Sequence, residues 1–243
     1  MNTRLLEVED LVVGYGSANV LEGVCVQADE GRITCLLGAN GVGKSTLIKA
    51  IFGLVPVRRG RVRFRGQDIT GWDTHRIVAR GLAAIPEGNR VFPRMSVLDN
   101  LMAGAYLERS PPKIAARLER VMALFPRLAE RRNQFAGTLS GGERSMLSIG
   151  RGLMSNPRLL VIDEPSLGLS PLFVKENFKL IRELCSDDCA ILLVEQNVKQ
   201  TLEVSHYGYV IAQGTVAVEG TGERLRNSAE VGNAYFGAEV AVH

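Results

Sequence analysis

No stretch of this chain approaches the ~18 consecutive apolar residues that a bilayer span requires, so any membrane task would need a membrane partner on another chain. Metal and disulfide signatures are missing as well. The four cysteines, at positions 25, 35, 185 and 189, form no CxxC pair, and the three histidines do not cluster with them. That argues against a zinc module or a disulfide-stapled scaffold. Cys25 and Cys35 lie in apolar, strand-like runs where a thiol acts as a small hydrophobe, and a reduced cytosolic protein is the expectation. Charge of one sign is also scarce: 29 Lys and Arg against 26 Asp and Glu leave a net +3. The arginine pairs Arg58-Arg59 and Arg131-Arg132 read as solvated surface charge, not as a stripe for nucleic acid. The opening MNTRLLEVED lacks the apolar core of a secretion signal. Internal repeats, linkers and low-complexity segments are absent.

What is present is an ordinary globular balance. Hydrophobic residues make up 46% and charged residues 23% of 243 residues, enough for a sizeable core in one large domain or two small ones. Residues 5–13 and 20–28 read as strands. Residues 33–37 are an apolar run leading into glycines, as a buried strand feeding a loop would be. Helical spacing over 44–52 follows, then a strand-and-turn pattern over 61–69 and a short strand over 82–85 stopped by Pro86. From 97 to about 154 apolar residues recur at helical intervals; Ile114, Leu118, Val121, Met122 and Phe125 share one face. This block predicts a helical subdomain inserted into an α/β core. Predicted strands at 159–162 and 191–194 flank a helix over 173–184. Residues 207–219 read as a hairpin about Gln213-Gly214, and a short helix and a tail with Tyr235 and Phe236 close the chain. Strands alternating with helices imply a mostly parallel sheet with helices on both faces.

The sharpest motif is GANGVGKST, residues 38–46. Its glycines let backbone N–H groups point inward around phosphate oxygens, and the following helix adds its positive N-terminal end. The candidate nucleotide-binding residues are Gly38, Ala39, Asn40, Gly41, Val42, Gly43, Lys44, Ser45 and Thr46. Lys44 would reach the terminal phosphates, and the Ser45 hydroxyl would ligate Mg²⁺. A second motif, LLVIDE over 159–164, ends an apolar strand in two carboxylates at the edge where ligands bind in open α/β sheets. Asp163 suits Mg²⁺, and Glu164 is then free to take a proton from the attacking water.

LSGGE, residues 139–143, reads first as a helix cap, with Ser140 and Glu143 forming a capping box. The same serine and glycines, Ser140, Gly141 and Gly142, could make a second backbone nest for phosphate. In the order phosphate loop, LSGG, Asp-Glu, the chain resembles the ATP-binding cassette family over nearly its whole length. The resemblance implies a phosphate-loop NTPase core of the RecA-like kind, an N-terminal antiparallel β subdomain, and the helical subdomain, residues 88–157, inserted in a single domain spanning 1–243. It also implies that two such domains pair head to tail. Each ATP would be sandwiched between one phosphate loop and the other chain's LSGG, and Tyr15 of VVGYG would stack on adenine.

Several positions depart from the general cassette pattern. Glu87 stands where a Gln usually contacts Mg²⁺ and the attacking water, Gln196 where a His is usual, and Ser170 where an Asp is usual. Gln196 can hydrogen-bond a γ-phosphate oxygen but cannot become cationic. With PEG, VFPR, LSGGE, EPSLGLSP and LLVEQN, the chain looks like the second ATP-binding subunit of branched-chain amino acid importers and their urea and amide relatives. Arg144-Ser145, where that subgroup has paired Gln, is a local departure. The implied catalytic set is Lys44, Glu87, Glu164 and Gln196. The implied metal set is Ser45, Asp163 and Glu87, with ATP and Mg²⁺ as ligands.

The implied partners are a second copy or a related ATPase, two membrane permeases and, indirectly, a periplasmic solute-binding protein. The implied location is the cytoplasmic face of the cell membrane, without nucleic acid. Val91, Phe92, Pro93 and Met95, flanked by Arg90 and Arg94, would either receive a permease helix or pack between subdomains. A soluble cassette acting on nucleic acid or ribosomes is the alternative, disfavoured by the single cassette and the weak basicity. A regulatory module that holds ATP without hydrolysing it is a further one, motivated by Gln196.

Overall fold

The computed structural model describes residues 3–88 and 90–236. The chain opens on two long antiparallel strands, β1 (Arg4–Tyr15) and β2 (Ala18–Asp29), before β3 (Ile33–Leu37) and α1 (Lys44–Ile51). Next come β4 (Val57–Phe64), β5 (Gln67–Asp68), α2 (Thr74–Ala79) and β6 (Leu82–Ile85). The helical block comprises α3 (Val97–Gly104), α4 (Pro111–Leu124), α5 (Pro126–Glu130), a 3-10 turn at Ala136–Thr138, and α6 (Gly141–Leu153). Then follow β7 (Leu159–Asp163), α7 (Pro171–Leu184), β8 (Ala190–Glu195) and α8 (Val198–Val204). The hairpin β9 (Tyr207–Ala212) and β10 (Thr215–Thr221) leads to α9 (Gly222–Arg226) and α10 (Ala229–Phe236). Tyr235 and Phe236 fall at the end of α10, and their side chains lie outside the described residues, as does Asn89.

The strands form two sheets. One is antiparallel with order β2-β1-β4-β5; the other has order β10-β9-β3-β8-β7-β6. In the second, β9, β3, β8, β7 and β6 run parallel and only β10 is antiparallel. The expected α/β core with an antiparallel β layer is therefore what the chain builds. Strands buried on both faces read as continuous apolar runs, and β3, β7 and β8 are buried at every position.

Their side chains alternate between two cores. Leu159, Val161, Leu192 and Val194 face the antiparallel sheet and α1, together with Leu21 and Leu47. Leu160, Ile162, Ile191 and Leu193 face α6 and α7 with Leu147 and Phe178. Proline at the first position of α4, α5 and α7 helps set where each helix starts. The fully buried Asn100 of α3 clamps the preceding loop by accepting from Phe92 N–H at 2.8 Å and donating to Phe92 O at 3.0 Å and Ser96 O at 2.9 Å. The net effect is that β3, β7 and β8 end together at one sheet edge, and the site is built there.

Candidate functional site

The loop after β3 is shaped by its glycines. Gly43 has φ +111°, and an added Cβ would meet Leu21 Cδ2 at 2.4 Å. At Gly38 the obstruction is backbone: a Cβ would lie 2.6 Å from the carbonyl oxygen of Ile211 on β9. The loop is thus wedged between β2 and β9 and delivers α1 with no side-chain cap. Its first-turn N–H groups are left for an anion. Lys44 is almost wholly buried; Nζ donates to Gly38 O at 2.7 Å and Ala39 O at 3.0 Å, and stands 3.4 Å from Glu164 Oε1.

Opposite the loop, β7 ends at Asp163. The next residue, Glu164, has φ +46°, a left-handed backbone uncommon outside glycine and costly for this side chain. Its N–H donates to Val194 O at 2.8 Å, which fixes the bend that aims the carboxylate at Lys44. Asp163 is buried, and its Oδ1 has no hydrogen-bond partner among the described residues. Burial first, then the negative charges of Glu164 and Glu87, raise its pKa to about 6; Lys44 opposes them, and Glu195 adds to them. An orphaned carboxylate oxygen among acidic neighbours is a fit place for a divalent cation. Among the described residues no three Asp, Glu, His or Cys side chains form a cage, which suits a cation such as Mg²⁺ that keeps most of its ligands from water and phosphate.

Gln196, just past β8, donates from Nε2 to Glu164 Oε1 at 2.9 Å and also contacts Asn40 Oδ1. Lys44, Glu164, Gln196 and the loop are therefore one hydrogen-bonded cluster. The cavity beside it has a volume of about 260 Å³, and Asn40, Lys44, Ser45, Thr46, Glu87 and Glu164 help line it, along with Gly41 and Gly43. Gly38, Ala39, Val42 and Asp163 do not line the cavity.

Other expected site residues lie apart. Tyr15 is 50% exposed at the end of β1 and does not line the cavity. Ser140, Gly141 and Gly142 open α6 and do not line it either. There the capping box forms as expected: Ser140 N donates to Glu143 Oε2 at 2.8 Å and Glu143 N to Ser140 Oγ at 3.3 Å. Burial would raise the Glu143 pKa, but the Ser140 hydrogen bonds and the charges of Arg131 and Arg127 bring it below its ordinary value.

Sequence reasoning missed Glu195. This residue is 2% exposed, and its carboxylate accepts Ser166 N–H at 2.9 Å on one oxygen and Gln196 N–H at 3.0 Å on the other. A single Glu closing an apolar strand offers no signal of burial.

Fold and site together define a phosphate-loop nucleotide hydrolase of the cassette type. The family model described as "ABC transporter" matches residues 21–167. A high-affinity branched-chain amino acid transport ATP-binding protein, BraG of Pseudomonas aeruginosa, is 39% identical over 96% of this chain and 100% of its own length. A probable branched-chain amino acid transport ATP-binding protein, LivF of Archaeoglobus fulgidus, is 38% identical over 91% of this chain and 94% of its own. The lipopolysaccharide export ATP-binding protein LptB of Escherichia coli is 31% identical over 96% and 98%. Among solved structures, the ADP conformation of the cassette MJ1267 superposes with TM-score 0.85 at 27% identity, covering 96% of this chain and 99% of that one. The chain belongs to the ATP-binding cassette transporter family, and it is an ATP-binding, ATP-hydrolysing subunit of a transporter. Among the described residues no helix is long and apolar enough to cross a membrane.

Proposed function

We propose that this chain drives uptake of branched-chain amino acids or related small polar solutes, including urea and amides, through two separate permease subunits at the cytoplasmic face of the membrane. The observation that carries this reading is the similarity to BraG, which extends over the whole of that protein. The chain acts as one cassette over residues 1–243, with residues 88–157 as its helical subdomain. It pairs head to tail with a copy of itself or a related ATPase, and a periplasmic solute-binding protein delivers the cargo.

In the proposed reaction, the amides of residues 38–46 and the Lys44 ammonium bind the triphosphate, exchanging the Gly38 and Ala39 carbonyls for phosphate oxygens. Tyr15 stacks on the adenine. Ser45, Asp163 and Glu87 hold Mg²⁺, which when bound offsets negative charge on the phosphates. Glu164 orients the attacking water and takes its proton. Gln196, already within hydrogen-bond reach of Glu164, donates to the γ-phosphate oxygen that gains charge. Ser140, Gly141 and Gly142 serve the partner's nucleotide, a role favoured by their position away from their own chain's cavity.

The test is reconstitution with the permeases encoded beside the gene and the matching binding protein. Leucine, isoleucine or valine, or failing these urea or short amides, should stimulate ATP turnover and accumulate in vesicles. Turnover insensitive to every such solute, with lipid-linked saccharide extracted instead, would replace this reading with the export role of the LptB relatives.

A further inference from the structure

The loop that follows the acidic pair, residues 165–170, is tied by buried side chains on two sides. On one side, Asn177 of α7, 3% exposed, donates from Nδ2 to Pro165 O at 3.1 Å and to Ser145 Oγ on α6 at 3.0 Å. On the other, Glu195 accepts the Ser166 N–H. The second Glu195 oxygen holds the backbone N–H of Gln196, with a longer contact of 3.4 Å from the Asn197 N–H. A buried carboxylate is expensive unless its lone pairs are filled, and here backbone donors from two separate segments fill them.

We propose that Glu195 is a positioning residue for ATP hydrolysis: by joining residue 166 to residue 196 it holds the Gln196 side chain against Glu164 and makes that placement follow the loop that leads back to α6. This rests on the proposed roles of Gln196 and Glu164. The contacts run in sequence from Ser145 to Asn177, Pro165, Ser166, Glu195 and Gln196, and end on Glu164. A shift of α6, whose N-terminus carries Ser140, would thereby reach the group that handles the attacking water. Physical continuity alone does not establish coupling, so the test measures coupling.

The measurement uses the chain assembled with its partner and permeases, with MgATP as the probe. Glu195→Gln keeps the shape but turns an NH₂ group toward either the Ser166 N–H or the N–H groups of Gln196 and Asn197, so the bonding on that side is lost and N–H is left facing N–H. The expected result is a kcat lowered on the order of 10- to 100-fold, with KM for MgATP within about twofold of wild type. Glu195→Asp, which keeps both acceptor oxygens on a shorter stem, recovers part of the loss and serves as the probe if the Gln variant melts early. In a Gln196→Ala background, Glu195→Gln adds less than about twofold, because the residue it positions is gone. Two results overturn the inference: a full multiplicative loss in the double variant, or a loss of nucleotide affinity as large as the loss of kcat. If Gln196→Ala alone leaves turnover unchanged, the site assignment itself fails, and that outcome is distinct from additivity.

Discussion

Gln196 donates its side-chain amide to Glu164 Oε1 at 2.9 Å, while Lys44 stands 3.4 Å from the same oxygen. One carboxylate oxygen is thus shared between the lysine of the glycine-rich loop and the residue beyond β8. In the proposed reaction a triphosphate entering the loop draws Lys44 toward its own oxygens, and Glu164 is then released toward water on that side.

Glu164→Gln keeps the volume but removes the proposed base. ATP binding is expected to persist, with hydrolysis slower by at least about a hundredfold. Equilibrium nucleotide binding and single-turnover phosphate release check the two halves separately. Near-normal turnover would remove Glu164 from the reaction.

Gln196→His introduces a side chain that can carry positive charge beside Glu164. Turnover is expected to be retained or raised, because a cation stabilises the developing phosphate charge better than a neutral amide. The pH profile distinguishes the two side chains: any gain in the His variant should fade as pH rises through the imidazole range, near 6.5 in model peptides. A complete loss of activity would show that the amide itself is required.

Asp163 carries a cost of the opposite kind. Its pKa is raised from 3.8 to about 6 by burial and by Glu164, Glu87 and Glu195. Below the unfolded value both states are protonated and the cost is nil; it grows as pH rises between those values and is full above about 6. Metal-free protein should therefore lose stability across that window. Asp163→Asn should remove the loss, gaining up to about 3 kcal/mol at neutral pH in chelator, while abolishing Mg²⁺-dependent turnover. Parallel thermal melts of the two proteins at pH 4.5 and 7.5, with and without Mg²⁺, decide it.

Gly43→Ala tests the shape of the loop. At φ +111° and with Leu21 Cδ2 only 2.4 Å from the new methyl, the variant faces both backbone strain and overlap. A loss of roughly 1–3 kcal/mol is expected, together with weaker nucleotide binding, read by denaturant melts and fluorescent-nucleotide titration.

Much of this site could be read from the sequence, and what could not has a physical explanation. The loop, Asp163, Glu164 and Gln196 sit at strand ends where a local pattern announces them, and their convergence follows from parallel strands sharing one edge. Ser140 and Glu143 were legible because a capping box is local chemistry. The lengths of β1 and β2 were not, because register shifts interrupt the alternation along both strands. Helix α8 is only seven residues, capped by Asn197 accepting the Gln200 N–H, and too short for a periodicity to emerge. The helical block reads as one continuous pattern, yet it breaks into separate helices between 97 and 153. Glu195 was invisible for a different reason: beside its neighbours Gln196 and Asn197, its partner Ser166 lies on a loop that only the tertiary fold brings to it.

Phe92 is the residue on which the proposed permease dock can be tested. Its ring is 48% exposed, with the Arg151 guanidinium 4.9 Å from the ring centroid, while Asn100 fixes its backbone from below. The backbone is locked and the ring is half exposed, so the proposed permease dock and packing between subdomains make different predictions for it. A cation over an exposed ring contributes only about 0.5–1 kcal/mol, so Phe92→Ala should leave the fold and the turnover of the free ATPase close to wild type. In the assembled transporter the same variant should hydrolyse ATP with little solute uptake. Phe92→Leu, which restores apolar area without the aromatic face, should recover part of the coupling if burial against the permease is what matters. Uptake per ATP in proteoliposomes is the quantity to measure, and an unchanged ratio in Phe92→Ala would return this residue to a packing role.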